Sequence, residues 1–266
     1  MSEALQQAAG ERLRRALAAL THTPLTGALA GMVVTAVMQS SSATTVMVIG
    51  FVSAGLLELP QAVAVIFGAN IGTTVTAQLL AFRVEEMLGL VLFGGFFLCA
   101  VARTKRGRQM GTAVFSFGLL FAGMEQIQSV VEPLALCPEF EAWMAQVREK
   151  PLWGLLLGLG MTLVVQSSSA TIGVLQGVAR QAGPDGVHSL LGLAGAVPVL
   201  LGDNVGTTIT AILAAVGGTR DAKRAAAAHC CFNLSGSLVC LLALPWFVRL
   251  VELLPPEGEE LEIIAR

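Results

Sequence analysis

Long stretches of the chain carry hydrophobic side chains with no charged residue among them. Residues 16–57, 59–82, 87–102, 151–179 and 225–248 contain no Asp, Glu, Lys or Arg. A transmembrane helix needs about 20 consecutive apolar residues, and several of these stretches are long enough. The pattern therefore predicts an all-α protein that crosses a lipid bilayer several times.

The first apolar stretch is too long for a single membrane-spanning helix. Its 42 residues would form a helix about 63 Å long, whereas the hydrocarbon core of a bilayer is about 30 Å thick. The polar sequence QSSSATT, residues 39–45, lies inside this stretch and predicts where the helix breaks. We therefore expect a re-entrant helical hairpin, which enters and leaves the membrane on the same side.

The same arrangement occurs twice along the chain. VMQSSSATTVM (37–47) is matched by VVQSSSATIGV (164–174) at an offset of 127, and GANIGTTVTA (68–77) by GDNVGTTITA (202–211) at an offset of 134. The difference of seven positions lies near RQAGPDGVHS (180–189), which is typical of a loop. Two motifs that recur in the same order predict a duplicated membrane unit, which is common in secondary transporters.

The basic residues predict how the two units are oriented. Cytoplasmic loops carry an excess of Lys and Arg, and 10 of the 16 basic residues lie in three clusters within 12–15, 103–108 and 220–224. With the N-terminus in the cytoplasm, two re-entrant hairpins place all three clusters on that side. A single crossing in place of each hairpin would put the middle cluster outside. The two units then begin on opposite sides of the membrane, so we predict inverted repeats.

These patterns divide the chain into five predicted segments. They are an N-terminal amphipathic segment (1–23), transmembrane repeat 1 (24–127), an extramembrane connector (128–150), transmembrane repeat 2 (151–254) and a C-terminal tail (255–266). Each repeat is predicted to contain a re-entrant hairpin and a transmembrane helix that is broken at the GANIGTT or GDNVGTT motif. Glycine in these motifs allows either an unwound backbone or a close approach between helices.

Composition supports the membrane prediction and narrows the partners. Charged residues make up 13% of the chain, with a mean hydropathy of +0.74, whereas soluble domains carry roughly 25% charged residues. The net charge of −2 and the short, scattered basic clusters argue against nucleic acid as a partner. The five cysteines lack metal-ligand spacing, so we predict neither a transition metal nor a cofactor.

The two QSSS clusters offer neutral hydrogen-bonding groups in an apolar setting. Hydroxyls donate and accept, and glutamine adds an amide donor and a carbonyl. A half-helix that begins at the turn also points free N–H groups at the site, which suits an oxyanion. The predicted substrate-binding residues are Gln39, Ser40, Ser41, Ser42, Gln166, Ser167, Ser168 and Ser169. The alternative is that these hydroxyls bond back to their own helices and serve packing.

A second group of polar residues is predicted to bind Na⁺ or to line the site, because hard cations prefer oxygen ligands. It comprises Thr44, Asn70, Thr73, Thr74, Thr171, Asp203, Asn204, Thr207, Thr208, His229 and Asn233. Asp203 replaces Ala69 of the first copy, and a carboxylate in an apolar segment indicates a functional site. A Na⁺ ligand, a proton-coupled group and an Asp at a water-exposed helix end all fit. His229 and Asn233 share a helix face, and a packing role fits His229 equally well.

The combination of these motifs resembles one known family. Duplicated QSSSAT, followed by GANIGTT and GDNVGTT and by an AxxHxxFN pattern after the second copy, is similar to the sodium-dependent phosphate cotransporters, which include the animal type II proteins and bacterial relatives. The resemblance covers roughly residues 20–250. It implies Na⁺-coupled uptake of inorganic phosphate by alternating access in the inner cell membrane, with the QSSS turns at the substrate and ion sites. Oligomeric state is left open, and a homo-oligomer fits.

Other functions remain as alternatives. The cargo could be another oxyanion, or H⁺ could replace Na⁺ as the coupling ion. An intramembrane serine protease with His229 as base is disfavoured, because no G-x-S-G motif lies near a second His and triple serines in two copies are a poor nucleophile signature. We therefore predict no enzymatic activity. A membrane scaffold without transport activity is the last alternative.

Overall fold

The computed structural model describes residues 20–81, 87–183 and 188–253, and within them the chain is almost entirely helical. Most of the predicted amphipathic segment and the predicted tail lie outside these ranges. Twelve helices are described: α1 (Pro24–Met38), α2 (Ser41–Ser53), α3 (Leu59–Ala81), α4 (Leu88–Val101), α5 (Lys105–Ala135), α6 (Pro138–Glu149), α7 (Pro151–Val165), α8 (Ser168–Ala179), α9 (Gly192–Gly206), α10 (Thr208–Ala215), α11 (Arg220–Leu242) and α12 (Leu244–Glu252).

Four helical spans of the described chain are long and apolar enough to cross a membrane. They are Leu59–Gln78, Lys105–Ala135, Gly192–Ala215 and Arg220–Leu242. Shorter apolar helices accompany them, including α1, α2, α4 and α7. The prediction of an all-α protein with several membrane spans is confirmed at this level.

The predicted interruption of the first apolar stretch is confirmed. Helix α1 begins at Pro24 after Thr23, whose Oγ1 accepts the N–H of Thr26 at 3.2 Å. It ends at Met38, and α2 begins at Ser41 and contacts α1. The same break separates α7 from α8 at the second QSSS cluster.

Glycines bring the first helix of each repeat against the helix of the second motif. A Cβ placed on Gly31 of α1 would lie 1.9 Å from the carbonyl oxygen of Val65 in α3. The matching pair in the second copy gives the same separation, 1.9 Å from a Cβ on Gly158 of α7 to the carbonyl oxygen of Val199 in α9. Such backbone contacts are the usual role of small residues between membrane helices. The duplication seen in the sequence is therefore also a duplication of helix packing.

The predicted break at the GxNxGTT motif is wrong for the first copy. Helix α3 continues through Gly68 and Gly72 to Ala81, because these glycines serve close packing and the backbone keeps its helical hydrogen bonds. A Cβ on Gly72 would lie 2.7 Å from Cβ of Thr35. In the second copy a local interruption at Thr207 separates α9 from α10.

The chain divides into two compact units. Among the described residues, the first comprises 20–79, Lys150–Thr171 and 197–253, and the second comprises 80–81, 87–149, 172–183 and 188–196. The first unit has an apolar core in which Ile49 and Ile66 are fully buried beside small residues of α10 and α11. In the second unit α4 and α5 pack as a close pair, with Gly95 against the backbone of Phe115. The five-segment division remains a prediction.

The predicted loop at residues 180–189 follows α8 in the second unit. The N–H of Gly183 donates to the carbonyl of His188 at 2.7 Å, and the N–H of Leu190 donates to Gln181 at 2.8 Å. Residues 184–187 lie outside the described ranges. Among the described residues of this segment, the backbone therefore forms a short hairpin-like loop.

Candidate functional site

Each QSSS turn is built on a glutamine in the left-handed backbone region. Gln39 has φ 55° and ψ 27°, and Gln166 has φ 55° and ψ 25°. They are the two non-glycine residues with positive φ in the part of the chain that the structure describes. Each glutamine N–H donates at 2.7 Å to the carbonyl of a threonine four residues earlier, Thr35 or Thr162, which closes the preceding helix. The two turns therefore share one backbone geometry.

The first serine of each cluster caps the helix that follows. Oγ of Ser40 accepts the N–H of Ala43 at 3.2 Å, and Oγ of Ser167 accepts the N–H of Ala170 at 3.3 Å. Serine is among the preferred residues at this position, because its oxygen satisfies an N–H that has no partner inside the helix. The hydroxyl proton of each capping serine is still available for donation to a ligand.

The second and third serines of each cluster leave donors unused. In the described chain, the backbone N–H groups and the hydroxyls of Ser41, Ser42, Ser168 and Ser169 have no hydrogen-bond partner. Ser168 is only 8% exposed, and the other three are partly buried. Unpaired N–H groups at the start of a helix, next to free hydroxyls, suit an anion such as phosphate.

A buried threonine pair lies beneath each turn. Thr35 Oγ1 donates to Thr44 Oγ1 at 3.0 Å, and Oγ1 of Thr162 lies 3.2 Å from Oγ1 of Thr171. All four side chains are at most 1% exposed. Thr35 and Thr162 are absent from the predicted site residues. The signal that could have identified them is their recurrence four positions before each glutamine.

Asp203 makes the second threonine pair different from the first. Thr162 Oγ1 donates to Asp203 Oδ1 at 2.6 Å, and Asp203 is 5% exposed. It lies within α9 and is buried, which does not fit a water-exposed helix end. The first copy has Ala69 at the matching place, with no exposed surface. The second copy therefore holds a carboxylate and two hydroxyls together, an oxygen set that suits Na⁺.

Asn233 of α11 joins the two GxNxGTT motifs. Its Oδ1 accepts from Nδ2 of Asn70 at 2.7 Å, and its Nδ2 donates to the carbonyl of Asn204 at 2.7 Å. Its Nδ2 also lies 3.2 Å from Nε2 of His229. Asn233 is 1% exposed, so this polar link is buried. The structure thus brings together four predicted residues from three helices.

Some predicted residues are engaged with their own helices instead. The hydroxyls of Thr73, Thr74, Thr207 and Thr208 each donate to a carbonyl three or four residues earlier, at 2.7 to 3.2 Å. This arrangement favours the packing alternative for these four. Within the described chain no hydrogen bond joins one QSSS cluster to the other.

Comparison with known proteins identifies relatives along nearly the whole chain. A family model described as Na⁺/Pi-cotransporter matches residues 1–129 and 132–251. The uncharacterized protein YqeW of Bacillus subtilis (strain 168) is 33% identical over 246 residues, which cover 92% of this chain and 78% of YqeW. YjbB of Escherichia coli (strain K12), provisionally named an inorganic phosphate export protein, is 28% identical over 232 residues, or 87% of this chain and 41% of YjbB.

An animal relative matches over a shorter segment. The sodium-dependent phosphate transport protein 2A of Ovis aries is 44% identical over 63 residues, which are 24% of this chain and 10% of that protein. No solved structure matches significantly. The family model spans both copies of the QSSS and GxNxGTT motifs, whose paired turns and helix contacts are described above. On this evidence the chain belongs to the Na⁺/Pi-cotransporter family.

Proposed function

We propose that the protein couples Na⁺ movement to the transport of inorganic phosphate across the cell membrane by alternating access. The observation that carries the proposal is the pair of matching QSSS turns, each with two serines whose N–H and hydroxyl groups are unpaired in the described chain. Membership of a phosphate cotransporter family supports phosphate as the cargo.

The turns suit an anion that must be released again. Four donors in each cluster, two N–H groups and two hydroxyls, can replace part of the hydration shell of phosphate. Neither cluster contains Lys or Arg, so the bound anion meets partial charges at the helix start and no full positive charge. In this proposal both QSSS turns are tips of re-entrant hairpins in inverted repeats, and phosphate binds between them near the membrane midplane.

In this proposal the coupling ion, Na⁺, binds in the second copy. Asp203, Thr162 and Thr171 offer a carboxylate and two hydroxyl oxygens within one buried cluster. A buried carboxylate without a cation is costly, and Na⁺ bound there would offset that cost. The first copy has Ala69 in place of the carboxylate, so we propose that the two copies differ in ion binding.

The direction of transport has two candidates. We propose uptake, since inward Na⁺ movement supplies the driving force for it. Export is the second candidate, and the provisional name of YjbB favours it. Reconstituted vesicles with the protein in a single known orientation distinguish the two, because phosphate flux driven by a Na⁺ gradient is measured separately into and out of the lumen.

The experiment is radiolabelled phosphate flux in proteoliposomes with Na⁺ or choline outside. We expect phosphate flux in Na⁺, and flux at least about tenfold lower when choline replaces Na⁺. A tenfold change corresponds to the loss of one coupling interaction of about 1.4 kcal/mol. Equal flux in the two salts would show that Na⁺ is not the coupling ion. Flux of sulfate but not phosphate would show that the cargo is wrong.

Variants then test the site itself. Ser41→Ala and Ser168→Ala each remove one unpaired hydroxyl and should raise the phosphate concentration for half-maximal flux about tenfold, since a hydrogen bond to a charged group contributes roughly 1.5–3 kcal/mol. Ser129→Ala is the matched control, because this exposed hydroxyl donates to the carbonyl of Gln126 in α5. Unchanged flux in both site variants would contradict phosphate binding at the turns.

A further inference from the structure

A cavity with basic walls lies where α4 is connected to α5. It has a volume of about 450 Å³ and is lined by Arg103, Thr104, Lys105, Arg108, Gln109 and Thr112. Three of the six lining residues are cations and none is acidic. In the part of the chain that the structure describes, none of these cations forms an ion pair. The cavity therefore presents unbalanced positive charge.

Helical spacing and close packing hold this cavity in shape. Lys105, Arg108, Gln109 and Thr112 lie at positions i, i+3, i+4 and i+7 of α5, so they share one face of that helix. Thr104 caps the helix by accepting the N–H of Gly107 at 3.0 Å. Arg106, in the same basic cluster, does not line the cavity.

The lining residue Thr112 brings the cavity close to α4. Oγ1 of Thr112 donates to the carbonyl of Arg108 at 3.0 Å and lies 3.5 Å from Sγ of Cys99. A Cβ on Gly111 would lie 2.5 Å from the backbone nitrogen of Cys99. The two helices are therefore in close contact beneath the cavity.

Exposed apolar side chains lie next to the cavity and farther along α4. Val101 and Met110 are 58% and 62% exposed next to the basic residues, and Phe93 and Phe97 of α4 are 67% and 55% exposed farther along. An exposed apolar surface that ends at three clustered cations matches the acyl and headgroup regions of a bilayer. Basic pockets at such positions bind lipid headgroups.

We propose that this cavity binds the phosphate headgroup of an anionic phospholipid, with the acyl chains against the apolar faces of α4 and α5. The site is distinct from the QSSS turns and does not depend on the proposed transport function. Inorganic phosphate shares the headgroup chemistry but has no apolar part, and only the lipid also uses the exposed Val101, Met110 and phenylalanine side chains.

The test is native mass spectrometry of the purified full chain titrated with phosphatidylglycerol or phosphatidylcholine. We expect retention of phosphatidylglycerol, and Arg103→Gln together with Arg108→Gln should weaken it about thirtyfold, from roughly a fivefold effect for each basic residue near an anionic headgroup. Arg103→Gln or Arg108→Gln alone should weaken retention about fivefold. Arg106→Gln is the matched control for these single variants, because it removes one charge from the same cluster without touching the cavity. Arg103→Lys together with Arg108→Lys should retain most of the affinity.

Three outcomes would overturn the proposal. Equal loss with Arg106→Gln would show diffuse attraction in place of a pocket. Equal retention of phosphatidylcholine would remove the role of anionic charge. The third is that inorganic phosphate in large excess displaces phosphatidylglycerol, while the lipid's glycerol backbone alone leaves its affinity unchanged. That result would assign the cavity to free phosphate. Thermal unfolding of each variant confirms that the chain is folded.

Discussion

Replacing Asp203 with Ala should separate ion coupling from folding. The structure contains its own reference for this change, because Ala69 occupies the matching position in the first copy and the threonine pair there forms at 3.0 Å without a carboxylate. Thr162 and Thr171 already lie 3.2 Å apart. We therefore expect Asp203→Ala to keep the second turn in place.

The expected size of the effect follows from the contacts of Asp203. Its bond from Thr162 at 2.6 Å is short, as expected for a charge-assisted bond. Loss of this bond costs the folded state about 1.5–3 kcal/mol, and removal of a buried charge offsets much of that cost. If Na⁺ binds here as proposed, loss of the carboxylate weakens its binding by at least a similar amount, so the Na⁺ concentration for half-maximal phosphate flux should rise about 10- to 150-fold.

The assay is phosphate flux measured over a range of Na⁺ concentrations, with thermal unfolding of the same preparations. Asp203→Asn keeps the shape of the side chain and removes its charge, so it should resemble Asp203→Ala in Na⁺ dependence. A Na⁺ dependence within twofold of the unmodified protein, in a variant that still transports, would refute the assignment of Na⁺ to Asp203. Loss of dependence on a proton gradient in the same variants would support the proton-coupled alternative.

Two further changes test the helix contacts that support the site. Asn233→Leu removes both 2.7 Å bonds, to Asn70 and Asn204. It should lower the free energy of unfolding by about 1–3 kcal/mol, at about 0.6–1.7 kcal/mol per bond, whereas Asn233→Asp keeps the acceptor for Asn70 and should lose less. Equal unfolding of the two variants in a denaturing-detergent titration would argue against the bridge. Gly158→Ala should destabilise the fold by about 1–3 kcal/mol through overpacking, while Gly160→Ala should not, because the space around its Cβ is open. Equal melting temperatures of these two variants would show that α7 and α9 do not pack this closely.

The sequence predicted the helix break at each QSSS turn because two physical limits coincide there. A 42-residue apolar run exceeds the thickness of a bilayer, and only the polar cluster offers a place for backbone turns and caps. The capping role of Ser40 and Ser167 follows from the known preference of helix starts for serine. The helix break and the serine caps depend on residues that are close together in the chain, so the sequence alone is enough to predict them.

Features that depend on two helices could not be predicted in the same way. The GANIGTT motif contains glycines that allow either an unwound backbone or a close contact, and the sequence does not distinguish them. In the structure Gly68 and Gly72 contact α1, so α3 remains helical. The bond between Asn70 and Asn233 likewise joins residues 163 positions apart, a pairing that a single sequence without aligned relatives does not reveal.

Among the described residues the polar bridge at Asn233 occurs once, although the helices around it are duplicated. At the offset of 134, His229 and Asn233 correspond to Gly95 and Cys99 of α4, and Cys99 lies instead near Thr112 and Arg108 of α5. Two inverted repeats that exchanged conformations symmetrically would need an equivalent bridge in the first copy. If alternating access separates the two GxNxGTT motifs, the bonds of Asn233 must break, and nothing in the described first copy replaces them. Under the proposed mechanism, binding of Na⁺ and phosphate would supply the energy that offsets this loss, and Asn233 would then couple binding to movement.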